Sequence, residues 1–162
     1  MNYLIDTSSL ICLFNKYPEE VFGTLYPKFN NEINNGNIKA PLQVLNELKR
    51  GDDTAYKWIK TYRKIFFISL NNKILQKSVE IIDKYPELTK NLGLTSTGND
   101  PADPYLIAMA AIQMEENIDR LSIIKIITEE GNKKNHIPEV SGKYGIDCIN
   151  ILDFFKEMKW RF

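Results

Sequence analysis

Five acidic positions carry the chemistry this sequence offers: Asp6, Glu47, Asp103 and the pair Glu129-Glu130. Asp6 closes the apolar run Tyr3-Leu4-Ile5 and is followed by Thr7-Ser8-Ser9. Glu129 and Glu130 follow the strand-like stretch Ile123 to Thr128, and Asp103 stands in Ala102-Asp103-Pro104 ahead of a strongly apolar stretch. Side chains that follow buried strands or precede buried helices meet at the carboxyl end of a parallel sheet, where open α/β folds bind ligands. Two carboxylates brought to about 4 Å there repel by about 4 kcal/mol at an effective dielectric of about 20. Several together either hold protons or recruit a divalent cation. Mg2+ and Mn2+ favour such oxygen ligands, with waters and substrate phosphates completing the shell. A metal held that way polarises a phosphate, activates a water and steadies a leaving oxygen, so the pattern points to phosphodiester chemistry.

The same residues also have a plain structural reading. The chain carries 21 Asp and Glu in all, so any chosen few prove little by themselves. Asp103 before Pro104 has the form of an N-cap followed by proline at the first helical position, and Asp6 can cap the helix after it. On that reading Glu47 is an ordinary solvent-facing helix residue, and Glu129 and Glu130 are loop charges.

The elements that must position these acids alternate between strand and helix. Tyr3-Leu4-Ile5 reads as a buried strand, and Thr7-Ser8-Ser9 offers hydroxyl caps for a helix through Phe14. Val21, Leu25, Phe29 and Ile33 recur every four residues and predict a helix from Glu19 to Asn34, stopped by Asn35-Gly36-Asn37. Ile38-Lys39-Ala40 reads as a brief extended piece. Pro41 then opens a helix bearing Leu42, Leu45 and Leu48, which Gly51 ends. Asp52 and Asp53 open the next helix, Ile65-Phe66-Phe67-Ile68 reads as a strand, and Ile74 to Tyr85 as a helix ended by Pro86. Gly93 to Asp100 is the most loop-like stretch. Pro104 to Glu116 is an apolar helix with Leu106, Ile107, Ala110 and Ala111 packing inward. Ile123 to Thr128 and Ile146 to Ile149 read as strands, and Leu152 to Met158 as the closing helix. The predicted fold class is α/β: a three-layer sandwich with a mostly parallel central sheet flanked by helices.

Length and composition set the outer limits. The 162 residues fit one domain, 1–162, and 43% hydrophobic with 26% charged residues is ordinary for a globular protein. No apolar run reaches the roughly 18 residues of a membrane span. The first residues have no signal-peptide pattern, so a cytoplasmic location is expected. A formal net charge of zero argues against coating nucleic acid through bulk charge. Cys12 and Cys148 are far apart and the chain has one histidine, which excludes a zinc site of the usual Cys/His type. Both cysteines read as small buried hydrophobes.

Taken in order, four motifs resemble those of a PIN domain. They are Leu4-Ile5-Asp6-Thr7-Ser8-Ser9-Leu10, Val44-Leu45-Asn46-Glu47-Leu48, Ala102-Asp103-Pro104-Tyr105-Leu106-Ile107-Ala108 and Ile126-Ile127-Thr128-Glu129-Glu130. The resemblance spans nearly the whole chain and is closest to a prokaryotic branch with an Ala-Asp-Pro motif and a C-terminal aromatic segment, here Phe154-Phe155 and Trp160. It implies a fold similar to flap-type nucleases and cleavage of RNA with Mg2+ or Mn2+. Asp6, Glu47, Asp103 and Glu130 are the implied catalytic acids. Asp6 and Asp103 are the implied metal ligands, with Glu47 completing the cluster directly or through water. Glu130 is preferred to Glu129 because the family's fourth acid lies two positions beyond the strand-ending threonine. Glutamate there departs from the commoner Asp or Asn. Thr128 is implied to hold a neighbouring carboxylate or water. Asp100 is a weaker rival to Asp103. The expected partners are RNA, an antitoxin protein and a second copy of the chain in a homodimer, since many prokaryotic members are toxins held by an antitoxin.

Lys49, Arg50 and Lys57 are the candidate RNA-binding cations, in a stretch that adds Lys60, Arg63 and Lys64 and is interleaved with Tyr56, Trp58 and Tyr62. Such a stretch tracks a phosphate backbone and stacks bases, or is a solvated helix face with its aromatics turned inward. His136 reads as a surface loop residue, and one histidine excludes a paired-histidine ribonuclease mechanism. Lys159-Trp160-Arg161-Phe162 either docks a partner or packs the last helix. Three competing functions are weighed against the nuclease. Aspartyl-nucleophile phosphatase chemistry usually wants a second aspartate two residues after Asp6, where this chain has Ser8. A non-catalytic PIN-like module would bind RNA or a protein. A dinucleotide enzyme is disfavoured because no Gly-x-Gly-x-x-Gly follows Ile5.

Overall fold

A computed structural model describes residues 2–51, 53–90, 101–117 and 123–162. Asp52, the Gly93 to Asp100 stretch and therefore Asp100 lie outside the described residues. Five strands, β1 (Asn2–Ile5), β2 (Ile38–Pro41), β3 (Phe67–Ile68), β4 (Ile124–Ile127) and β5 (Asp147–Ile149), form one sheet in the order β3-β2-β1-β4-β5. Every pairing is parallel. The chain winds outward from β1 through β2 to β3, then returns to place β4 on the other side of β1. That reversal makes the β1/β4 boundary the topological switch point, where open parallel sheets form a crevice at the strands' carboxyl ends.

Alternation along the strands sorts the core into two layers. Tyr3, Ile5 and Ile127 join one hydrophobic cluster, while Leu4, Ile124 and Ile126 join the other. This period of two is what a pleated strand with both faces covered requires. The first cluster is closed by α1 (Thr7–Lys16), α2 (Leu25–Asn34), α3 (Leu42–Gly51), α4 (Asp53–Ile59), α5 (Arg63–Phe66) and α10 (Ile151–Glu157). The second is closed by α6 (Asn72–Lys84), α7 (Glu87–Lys90), α8 (Asp103–Glu116) and α9 (Ile137–Gly142). The three-layer α/β sandwich expected from the sequence is the observed fold. In α8 every residue from Pro104 to Ala111 is buried, as its unbroken apolar composition demands. Among the described residues, no helix is long and apolar enough to cross a membrane.

Some local expectations need correction. The four-residue period from Val21 does not make a helix before Leu25: Val21 is 73% exposed, and Pro18 to Phe22 forms turns. Pro18 and Gly23 interrupt the backbone there, so the apolar spacing outlasts the helix. Ile65 and Phe66 belong to the short α5 rather than to a strand, and only Phe67–Ile68 pair with Ala40–Pro41. The α6 helix stands, but its buried face is Ile74, Ser78 and Ile81, leaving Leu75 and Val79 exposed. The C-terminal aromatics pack the last helix: Trp160 stacks on Phe155 at 5.7 Å and meets Phe154 edge-on at 5.3 Å.

Candidate active site

The register of β1 against β4 builds the centre of the site. Ile5 lies opposite Ile127, and the Asp6 N–H continues the ladder by donating to the Ile127 carbonyl at 2.9 Å. Asp6 and Thr128 therefore emerge side by side at the carboxyl edge, and the Thr128 hydroxyl donates to Asp6 Oδ2 at 3.1 Å. The Ser8 hydroxyl donates to the same oxygen at 2.5 Å. Thr128 Oγ1 in turn accepts from the Glu130 N–H at 3.2 Å, and Ser8 Oγ accepts from the Glu129 N–H at 3.0 Å. The two strand ends are thus laced together by two hydroxyls. Asp6 itself caps α1, accepting from the Thr7 N–H at 2.7 Å and the Ser8 N–H at 3.3 Å. The hydroxyls of Thr7-Ser8-Ser9 do not provide that cap; they face the acids instead.

The other acids arrive from separate elements. Glu47, on α3, accepts from the Thr7 hydroxyl through Oε2 and from the Ala102 N–H at 2.8 Å through Oε1. Ala102 is the N-cap residue just ahead of α8, so Glu47 ties α1 to the start of the helix that bears Asp103. Asp103 is not the N-cap its sequence suggests. It is the first residue of the helix proper, with Ala102 ahead of it and Pro104 behind. Its carboxylate interacts with its own backbone N–H. Glu130 Oε2 accepts from the Ile137 N–H at 2.8 Å, at the start of α9. Glu129 turns away, accepting from the Ile151 N–H at 2.8 Å at the start of α10 and from the Ser9 hydroxyl at 3.3 Å.

Asp6, Glu47, Asp103 and Glu130 line one cleft of about 560 Å3, together with Thr7, Ser8, Arg50 and His136, while Glu129 does not. The electrostatics record their proximity. Burial pushes the Asp6 carboxyl up to about 6, aided by the charges of Glu47 and Glu130 and opposed by the Ser8 and Thr128 hydroxyls. Asp103 is raised well above the usual carboxylate range, first by burial, then by Asp6, Glu130 and Glu47. Such a field favours either protons or a cation. Among the described residues, no three His, Cys, Asp or Glu side chains are grouped closely enough to hold a metal unaided. An all-oxygen set that supplies one or two direct carboxylates suits Mg2+ or Mn2+, which keep waters and take substrate oxygens. Among the described residues Asp6 Oδ1 accepts a single hydrogen bond and is the less crowded oxygen.

The three candidate RNA-binding cations separate. Arg50 lines the acidic cleft. Lys57 lines a different one with Phe14, Tyr26, Trp58, Glu19 and Glu20, and Lys49 is exposed outside both. Trp58 is half-buried and meets Phe14 at 5.2 Å and Tyr62 at 5.3 Å, so the aromatics of this stretch are turned into the core. Sequence reasoning missed His136 and Glu87 as cleft residues. For His136 the available signal was its place six residues after Glu130, directly before the Ile137-Pro138 helix start.

Residues 3–162 match the family described as a domain of unknown function, DUF4411. The chain belongs to that family. A search of curated proteins finds no match. Among solved structures, the fold is similar to a chain in the crystal structure of VapBC2 from Rickettsia felis bound to a DNA fragment from their promoter. The similarity has a TM-score of 0.54 at 16% identity and covers 93% of this chain and 98% of that one. At that identity the likeness concerns the fold. The fold of this DUF4411 chain is PIN-like, in agreement with the ordered motifs.

Proposed function

We propose that the protein is a metal-dependent endoribonuclease that hydrolyses RNA phosphodiester bonds. The observation that carries the reading is the convergence of Asp6, Glu47, Asp103 and Glu130 on one cleft at the β1/β4 switch point. Asp6 and Asp103 are the proposed ligands of Mg2+ or Mn2+, and Glu47 completes the set directly or through water. Such an ion supplies Lewis acidity toward the phosphate and an activated water. The chain's own part is to hold the acids apart and oriented: Thr128 and Ser8 fix Asp6, and Glu47 fixes the start of α8 beside Asp103. Support for a toxin role, with an antitoxin as partner, comes from the PIN resemblance and from the similarity to VapBC2. A homodimer and a cytoplasmic location belong to the same proposal.

The test is cleavage of single-stranded RNA by purified protein with Mg2+ or Mn2+, beside Asp6→Asn and Asp103→Asn. Metal-dependent cleavage lost in both variants supports the proposal. No cleavage with either ion, together with cellular toxicity unchanged by Asp6→Asn, refutes it. The absence of a close-set metal group among the described residues favours a second reading, a non-catalytic PIN-like module binding RNA or protein. Under that reading, divalent ions raise the melting temperature of wild type no more than that of Asp103→Asn.

A further inference from the structure

The chain's one histidine lines the acidic cleft, where its polar partner among the described residues is Glu130. His136 occupies the position before α9 with extended backbone, yet its side chain caps nothing. Positions of that kind usually carry Ser, Thr, Asp or Asn, whose oxygens accept the helix's first N–H groups. Its Nδ1 lies 3.5 Å from Glu130 Oε2, and the side chain is 36% exposed. At that distance the pair is a contact rather than a good hydrogen bond. The same Glu130 oxygen is already the acceptor of the Ile137 N–H at 2.8 Å. Among the described residues Glu130 is the imidazole's polar partner, through Nδ1, so the doubly protonated ring, in which both nitrogens are donors, can give Nε2–H to a ligand in the cleft.

A cleft lined by Asp6, Glu47, Asp103 and Glu130 repels a polyanion unless donors meet its phosphates. Among the described residues Arg50 and His136 are the basic side chains on that lining, reaching it from the last turn of α3 and from the segment between β4 and α9. We propose that His136 is a substrate-binding residue whose Nε2 donates to a non-bridging phosphate oxygen of the RNA strand lying in the cleft. This rests on the nuclease reading for the identity of the strand. It adds a residue that none of the four acidic motifs contains.

The experiment compares His136→Ala, His136→Asn and His136→Gln. The asparagine amide reaches about as far as Nδ1 and keeps the contact toward Glu130, whereas the glutamine amide reaches about as far as Nε2. Affinity for a fluorescent single-stranded RNA is read by anisotropy with Mg2+ in the Asp103→Asn background, and KM and kcat are read in the otherwise wild-type chain. The ring resonances of the single histidine are followed by NMR as RNA is added. The expected result is about tenfold weaker binding and higher KM for Ala and Asn, near-parental values for Gln, little change in kcat, and a shifted histidine resonance. Unchanged binding in His136→Ala, or rescue by Asn and not by Gln, overturns the proposal, the latter by showing that His136 only steadies Glu130. The two readings fail separately. RNA binding with the expected Ala, Asn and Gln pattern but no cleavage sinks the nuclease and keeps the contact. Asp6-dependent cleavage with unchanged KM in His136→Ala does the reverse.

Discussion

Replacing Asp6 by asparagine in the metal-free protein tests the electrostatic basis of the site most directly. The folded carboxyl titrates at about 6 against a reference of 3.8, because burial and the charges of Glu47 and Glu130 outweigh the Ser8 and Thr128 hydroxyls. A raised folded value means that the fold favours the protonated acid. The associated stability is fully present below pH 4 and is lost as pH rises through about 6. The rise from 3.8 to about 6 corresponds to about 3 kcal/mol between those limits. Asn retains an acceptor for the N-cap of α1, but its NH2 must sit where Oδ2 takes two hydroxyl donors, at a cost of about 1 kcal/mol. The variant is then about 2 kcal/mol more stable than wild type at pH 8 and about 1 kcal/mol less stable at pH 4. For a chain of this size that is a rise of about 6 °C in Tm at pH 8 and a fall of about 3 °C at pH 4. Differential scanning calorimetry in EDTA from pH 4 to 8 reads the crossing. A Tm difference of constant sign and size across that range refutes the argument that Asp6 is held as a buried, mutually repelling charge. With saturating Mg2+ at pH 8 the order reverses if the ion binds through Asp6. An ion at 100 times its Kd adds about 2.7 kcal/mol to the wild type.

Thr128→Val removes the donor to Asp6 and the acceptor of the Glu130 N–H. Urea denaturation should show a loss of about 2 kcal/mol at pH 7 and a smaller loss at pH 4, where Asp6 is protonated. Glu47→Ala leaves the Ala102 N–H and the Thr7 hydroxyl without their acceptor. It should cost about 2 kcal/mol, with Glu47→Gln recovering part because its one oxygen still serves one donor. Phe29→Ala, at a fully buried position packed on Phe154 and Trp160, should cost about 3–5 kcal/mol by equilibrium unfolding.

The order of the acidic motifs and the alternation of strand and helix are legible in the residues themselves. Tyr3-Leu4-Ile5 is apolar, and so are Ile124, Ile126 and Ile127, because both sheet faces are covered, and Pro104 to Ala111 is apolar because α8 is enclosed. Such patterns are local, so one sequence suffices to read them. Asp6 as the cap of α1 was equally readable, from a carboxylate between a strand and a helix. Where punctuation and periodicity conflict, the local reading fails, as at Val21 against Pro18 and Gly23, and at Ile65.

Only the tertiary structure decides which acids meet. The β1–β4 register sets Asp6 beside Thr128, and one residue of backbone direction sends Glu129 to α10 while Glu130 faces the cleft. Asp103 looked like a helix cap, but the helix starts one residue earlier, and Glu47 instead receives the Ala102 N–H across 55 positions of sequence. His136 carries no motif at all and gains its place because α9 begins where β4 has just delivered Glu130. The sequence by itself determined the kind of sheet and the supply of carboxylates. The register of neighbouring strands and the starting points of helices determined which of them share a field, because those depend on residues far apart in the chain.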